Sequence, residues 1–319
     1  MDVKIGFMGC RSSSIDFFRF WKHNMPYNLD AFISIPSNVA YRNNVITDFY
    51  KNALDYSTKI KYIRDIPFYL LETYNMSSEK DKSTLLKLGL DIIIVLDWQR
   101  LLPNWLLDSL SIGAFGVHSP SKLLPYGRGR SPINWSLIEG KSSLFVHLIK
   151  YSSGIDNGNI IDYSVVKISP QDNCHTLYLK QTYLFCKMLK DNLPKLLKGD
   201  FIGTPQGNDK AMYYHKRTPE DGLINWQDST EDIYNFIRAQ TIPFPGAYTY
   251  LDSKKITVWE AIPFNIVSKT IPVVPGRIEN VFHDNSVMVC TIDGSLLLTI
   301  YNYSYVFSND NSIIGKVFK

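Results

Sequence analysis

The hydrophobic and polar positions change period along the chain. Val3 to Met8 alternates less than it stays apolar, the pattern of a central parallel strand covered on both faces. Gly9-Cys10-Arg11-Ser12-Ser13-Ser14 follows as a small-residue turn, and Ile15 to Lys22 has the spacing of a helix capped by one of those serines. A second strand is predicted at Asp30 to Ile35, a helix from about Ile46 to Asp55, a third strand at Lys59 to Ile63 and a helix at about Glu79 to Leu88. Leu90 to Leu96 is the most hydrophobic strand and ends in Asp97-Trp98-Gln99-Arg100. A further apolar run, Gly113 to His118, delivers a histidine at its exit.

Regularity stops there. The stretch Ser119 to Pro132 holds Pro120, Pro125, Pro132, Gly127 and Gly129, which forbid regular structure and force a shaped loop. A helix is predicted from Ile133, with Ser131 as its cap and Pro132 at a first helical position. A strand near Leu144 to Ile149 and the turn Ser152-Ser153-Gly154-Ile155-Asp156-Asn157-Gly158 follow. Strands alternating with helices at this pitch imply a doubly wound, mostly parallel α/β sheet. Ligands of such sheets bind beyond the carboxyl ends of the strands, so Asp97-Trp98 and His118 share one rim. A histidine at a strand end and an aspartate in a tight turn make an acid/base pair, and a strand, loop, helix, strand excursion can return the chain to the same edge.

Pro170 to about Lys198 reads as one long helix with Leu177, Leu184, Met188 and Leu193 on its apolar stripe. Gly199 to Ala211 is polar and rich in Gly, Asn and Asp, as linkers are. After Thr218 the pattern becomes β-rich. Ile256 to Val258, Gly276 to Val281, Val287 to Thr291 and Ser295 to Ile300 are short runs separated by turns such as Asp284-Asn285 and Asp293-Gly294. Ser229 caps a helix reaching Ala239. The expectation is a catalytic domain over 1–210 and a small all-β, partly open barrel over 211–319.

Composition narrows the setting only a little. At 319 residues, with 45% hydrophobic and 20% charged positions, the chain is an ordinary globular one with room for about two domains. A net charge of +4 neither demands nor excludes a phosphate-bearing partner. Cys10, Cys174, Cys186 and Cys290 lack the paired spacing of metal or redox motifs, which predicts no metal site and a reducing, cytoplasmic compartment. Met1-Asp2-Val3-Lys4 runs straight into a strand, predicting no secretory leader, and no run reaches the roughly 20 apolar residues of a membrane span.

Several of these segments stand together in one known pattern. His118, Leu123-Leu124-Pro125, Arg128-Gly129, Pro132-Ile133-Asn134-Trp135 and Gly154-Ile155-Asp156-Asn157-Gly158 resemble, in order and approximate spacing, the signature of the N10-formyltetrahydrofolate-dependent formyltransferase family. Tyr213 to Trp226, Ile237-Arg238-Ala239 and Pro243-Phe244-Pro245-Gly246-Ala247 resemble the C-terminal barrel region of methionyl-tRNA and aminoarabinose formyltransferases. The resemblance implies formyl transfer from N10-formyltetrahydrofolate to a primary amine. It implies His118 as proton acceptor and Asp156 as the group that holds and tunes it. Folate contacts would fall on Leu96, Asp97 and Trp98 and on Ser153, Gly154 and Ile155; substrate contacts would fall on Arg11, Ser12, Tyr126, Arg128 and Arg130. For Arg128 and Arg130 a purely structural role stands beside the anion-binding one.

Two departures from that pattern matter. The family places an asparagine two residues before the histidine, where this chain has Gly116, so the amide that would polarise the formyl carbonyl is missing. Another donor, a water or backbone N–H, or a catalytically weak protein that only binds are the three readings this leaves. The loop also reads Pro125-Tyr126-Gly127-Arg128 where the family usually has a basic residue, a tyrosine and then the arginine.

Charge distribution bears on which amine is formylated. From Pro219 to Lys319 there are seven Lys and Arg against eleven Asp and Glu, a net of −4, which leaves +8 for the preceding residues. A tRNA-gripping C-terminal domain would be basic, because phosphate neutralisation supplies most of its affinity. The acidic tail instead favours a nucleotide-linked amino sugar, a UDP- or dTDP-linked 4-amino-4,6-dideoxyhexose, with no nucleic-acid or membrane partner. Tyr301, Tyr303, Tyr305 and Phe307 alternate as a strand does and suit either the core or a second subunit of a homodimer.

Overall fold

The N-terminal sheet starts from β-branched and aromatic runs that have no polar face to show to water. The structure, a computed structural model, describes residues 3–43, 45, 63, 65–266, 273–302 and 313–319. β1 (Ile5–Met8), β2 (Ala31–Ser34) and β4 (Ile92–Val95) are buried at every position. They form the middle of a seven-stranded sheet with β3 (Phe68–Leu70), β5 (Gly113–His118), β7 (Ser143–Lys150) and β8 (Ile160–Lys167), in the order β3-β2-β1-β4-β5-β7-β8. The pairs from β3 to β5 are parallel, whereas β7 and β8 run antiparallel to their neighbours. The two short strands β6 (Arg128–Gly129) and β9 (Tyr213–Tyr214) pair in parallel apart from that sheet. No helix of the described residues is long and apolar enough to cross a membrane.

Helices cover the sheet through aromatic contacts. α1 (Ser14–Asn24) buries Phe17, Phe18 and Trp21, and Phe17 stacks on Phe7 of β1 at 4.2 Å between ring centroids. Each such ring removed from water contributes about 1.5–3 kcal/mol. Ser13 stands at the N-cap of α1 but makes no side-chain capping bond; its hydroxyl donates to the Asp97 carboxylate instead. α2 (Ser37–Arg42) is a short helix where the sequence pattern predicts none. α3 (Glu79–Leu88) begins at a true cap, since Ser78 accepts from the Asp81 N–H, and ends at Gly89 with φ 57°. α4 (Asn104–Ser109) leads into β5, and α5 (Pro132–Ile138) follows the loop after it. The helix expected from Ile46 to Asp55 lies outside the described residues, as does the strand expected at Lys59 to Ile63 except for Ile63. The strand that pairs with β2 is β3, further along the chain.

α6 (Cys174–Leu197) is the long helix, and Phe185, Leu189, Leu193 and Leu196 on it are fully buried. The chain divides into two compact units. The first comprises Met1–Pro132, Ser143–Lys167 and Tyr178–Tyr214; the second comprises Ile133–Ser142, Ile168–Leu177 and His215–Lys319.

The second unit is built on a five-stranded antiparallel sheet, β10 (Ala247–Leu251), β11 (Lys254–Pro263), β12 (Ile278–Val281), β13 (Val287–Cys290) and β14 (Ser295–Tyr301), in the order β10-β11-β14-β13-β12. The five strands make a half-barrel rather than a closed one. α7 (Thr230–Arg238) begins at Ser229, whose side chain accepts from the Asp232 N–H. It packs Ile233 and Ile237 into a core shared with Val258, Val289 and Leu298. Arg238 fixes an incoming segment of its own unit by donating to the carbonyls of Ser169 (3.0 Å) and Asp172 (2.8 Å). Asn134 does the same from α5, donating to the Ala239 carbonyl at 2.6 Å. Past Tyr301, the aromatic tail at Tyr303, Tyr305 and Phe307 lies outside the described residues.

Candidate active site

His118 ends β5 with only 7% of its surface exposed. Its Nε2 lies 2.7 Å from the Gly127 carbonyl oxygen, an acceptor, so Nε2 carries the proton. Nδ1 is turned to Asp156, 3.6 Å from its Oδ1 and beyond hydrogen-bond range, where the carboxylate attracts the ring once Nδ1 takes up a proton. The structure therefore brings the predicted pair together.

Asp156 is held as firmly as the histidine. It has φ 47° in the turn after β7, and its Oδ2 accepts from the Gly129 N–H at 2.8 Å. Gln206 clamps the same turn by donating through Nε2 to the carbonyls of Asp156 (2.9 Å) and Gly158 (2.7 Å). Its Oε1 accepts in turn from Arg128 Nε (3.0 Å) and Nη2 (2.9 Å). Arg128 also donates through Nη1 to Asn208 and to the Tyr213 hydroxyl. Only 1% exposed, Arg128 spends its donors on protein, an arrangement suited to holding the Asp156 turn in place. Nothing in the polar composition of Gly199 to Ala211 announced Gln206: a glutamine in a linker-like stretch carries no signal of what it will meet.

Glycines make these close approaches feasible at two points. A Cβ on Gly129 (φ 96°) would overlap the Tyr214 carbonyl oxygen, and one on Gly158 would overlap the Lys150 carbonyl oxygen and stand 2.8 Å from its carbon.

His147 of β7 supports the histidine from beneath. Its Nδ1 donates to the His118 carbonyl at 3.2 Å and its Nε2 accepts from the Leu124 N–H at 3.3 Å, which fixes the neutral tautomer. Burial pushes its pKa down to about 4 from the usual 6.5. Between those values the unfolded chain binds a proton that the folded one refuses, so stability is fully present above pH 6.5 and falls as pH drops towards 4. We expect urea midpoints to decline over that window, and His147→Gln to flatten the decline while lowering the plateau.

The other predicted residues occupy the same unit. Leu96 is fully buried just past β4; Asp97 (φ 57°) accepts from Ser13; and Trp98 packs edge-on against Tyr74 at 4.8 Å. The buried indole N–H of Trp98 has no partner among the described residues. Ser153 and Ile155 are exposed and Gly154 partly so, on the turn that carries Asp156. Ser12 is partly buried in the turn after β1, and Tyr126 approaches Tyr214, hydroxyl to hydroxyl, at 3.4 Å.

Three guanidinium groups gather around Tyr74 and Gln99. Arg11 is buried and donates from Nε to the Val45 carbonyl at 3.1 Å. Arg100 lies over the Tyr74 ring at 4.7 Å, and Arg130 donates to Gln99 Oε1 at 3.1 Å. Burial, then repulsion from Arg100 and Arg11, lowers the pKa of Arg130 from its ordinary value, although a guanidinium keeps its proton at neutral pH. Among the described residues no carboxylate forms an ion pair with Arg100 or Arg130. Crowded like charges of this kind are relieved by an anion.

A parallel-rich sheet with a histidine and a carboxylate at its carboxyl rim makes one unit of the chain, and an antiparallel half-barrel makes the other. Residues 34–189 match the formyl transferase family and residues 216–302 match the formyl transferase C-terminal domain, so the chain belongs to the formyl transferase family. Over 187 residues it is 38% identical to the bifunctional polymyxin resistance protein ArnA of Wigglesworthia glossinidia brevipalpis, covering 59% of this chain and 28% of that one. In fold it is similar to HypX from Aquifex aeolicus, solved in complex with tetrahydrofolic acid, with TM-score 0.63, 18% identity and coverage of 94% of this chain and 44% of that one. It is likewise similar to an N-formyltransferase from Helicobacter canadensis, solved with folinic acid and dTDP-3-aminofucose, with TM-score 0.61, 17% identity and coverage of 93% and 99%. The chain thus spans less than half the length of the ArnA and HypX relatives.

Proposed function

We propose that this protein transfers the formyl group of N10-formyltetrahydrofolate to the primary amine of a nucleotide-linked amino sugar. The observation that carries the proposal is His118 held between the Gly127 carbonyl and the Asp156 carboxylate at the rim of the sheet. The folate supplies the formyl group; the protein's residues position the amine and handle its proton. His118 accepts that proton at Nδ1, the ring nitrogen not engaged by Gly127, and the resulting imidazolium faces Asp156. The same histidine returns the proton to the departing folate nitrogen, so the site is restored.

The residues present suit both substrates. The Leu96–Trp98 backbone, the free indole N–H and the Ser153–Ile155 turn lie on the unit that carries His118, as a pterin site requires. Arg11, Arg100 and Arg130, together with Ser12, supply positive charge without a competing carboxylate on Arg100 or Arg130, which suits a diphosphate. Arg128, whose donors are taken up by Gln206, Asn208 and Tyr213, shapes the loop rather than meeting the substrate, and Tyr126 stands with Ser12 among the proposed substrate contacts. The acidic C-terminal region, at net −4, works against a grip on tRNA.

The deciding experiment follows tetrahydrofolate release from N10-formyltetrahydrofolate with a panel of UDP- and dTDP-linked amino sugars and with methionyl-tRNA. Turnover is expected with one sugar nucleotide and not with the tRNA. Turnover on the charged tRNA alone would overturn the substrate assignment, and silence throughout would overturn formyl transfer itself.

A further inference from the structure

The glycine two residues before His118 is not simply a gap. Successive side chains of a strand alternate in direction, so a side chain on Gly116 would project from β5 on the face that carries His118. That volume is already filled. A Cβ on Gly116 would overlap the hydroxyl oxygen of Tyr151 and stand 2.6 Å from its Cζ. Tyr151 is anchored beside the strand by its own backbone, whose N–H donates to the Ala114 carbonyl at 2.8 Å. Its hydroxyl forms no hydrogen bond to any described residue, although Asp156 and Asp97 both face it closely enough for their charges to act on it. The sheet therefore holds an uncommitted O–H donor at the place a short amide side chain on residue 116 would reach.

We infer that Tyr151 is a catalytic residue whose hydroxyl donates a hydrogen bond to the formyl oxygen, supplying from β7's far end the donor that Gly116 cannot. The inference rests on the formyl-transfer reading above. No bond to Tyr151 forms or breaks; the phenol keeps its proton while negative charge grows on the formyl oxygen. Its chemistry suits that task. Burial first, and then the negative charges of Asp156 and Asp97, raise the phenol's pKa well above its ordinary value of 10, so at neutral pH it keeps its proton. Fixed donors aimed at a developing oxyanion in a site of low dielectric are worth far more than donors in water. The geometry also explains why Gly116 must stay small: an asparagine there and the Tyr151 hydroxyl exclude one another.

Tyr151→Phe removes the hydroxyl and keeps the ring, so the packing around Gly116 survives. Its kcat is expected to fall on the order of 10²–10³-fold, the cost of losing one oxyanion donor, with KM for both substrates and the melting temperature little changed. A second readout needs no turnover. In the infrared difference spectrum of bound N10-formyltetrahydrofolate labelled with ¹³C in the formyl group, recorded without an amine, the carbonyl stretch should move to higher frequency in Tyr151→Phe. Unchanged kcat in an active protein, or an unchanged carbonyl stretch, overturns the role of Tyr151. A wild type that binds the folate yet formylates no amine overturns the transfer reading instead, and Tyr151 is then judged on the carbonyl stretch alone.

Discussion

His118→Ala should lower formyl transfer by on the order of 10³-fold or more while leaving the protein folded, because in the proposed mechanism it removes the group that takes the ammonium proton. The structural cost is the hydrogen bond from Nε2 to the Gly127 carbonyl, worth about 0.5–1.5 kcal/mol, together with the packing of a ring only 7% exposed. The melting temperature should therefore move by only a few degrees. A plain alanine is the informative variant, since Asp156 keeps its bond to the Gly129 N–H and the turn around it does not depend on the imidazole. Single-turnover rates measured across pH 5–9 would check this: the wild type should show a limb that depends on a basic group, and the variant should lose it. Turnover preserved in His118→Ala would remove the histidine from the mechanism.

Gly158→Ala should be the most damaging small substitution in the N-terminal unit. The new methyl would overlap the carbonyl oxygen of Lys150, a backbone atom of a paired strand that cannot rotate away as a flexible side chain could. Overpacking of this kind costs about 1–3 kcal/mol and more where backbone must shift. A drop in the unit's unfolding midpoint of roughly 5–10 °C is expected. Activity should fall further than stability, because the Gly158 and Asp156 carbonyls share the Gln206 amide and any displacement of one drags the other. Folate binding by calorimetry together with thermal melts would separate these effects. A variant with wild-type melting and wild-type turnover would show that the turn can open without disturbing Asp156.

What the sequence revealed followed from how local each signal was. β5 and its terminal histidine were legible because a short apolar run bounded by Pro and Gly has few other readings. α7 announced itself through Ser229, whose capping bond needs only a neighbour three positions along. β3 is only three residues long and β8 has no fully buried position, and the sequence pattern predicts neither as a strand. The antiparallel direction of β7 and β8 depends on long-range pairing that a local pattern does not carry. The His118–Asp156 pair was found by residue type at a strand end and a turn, but its supports were not. Gln206 stands 50 positions from the Asp156 carbonyl it holds, and Arg128 is 78 from Gln206. Tyr151 became meaningful only when the fold set its hydroxyl against a glycine 35 positions earlier. Ser13 looked like a helix cap and instead serves Asp97, a choice between partners that local sequence does not decide.

The interleaving of the two units bears on how such a protein can be recombined. Ile133–Ser142 and Ile168–Leu177 belong with His215–Lys319, and Arg238 and Asn134 fasten them there by bonds to main-chain carbonyls. Exchanging the C-terminal third with a relative by a single crossover would therefore carry away the half-barrel but leave behind two of the pieces it folds around. The buried guanidinium of Arg238 would then face foreign carbonyls, and buried donors without partners are costly. Grafts that carry all three segments should yield folded hybrids, and grafts cut once near residue 215 should not.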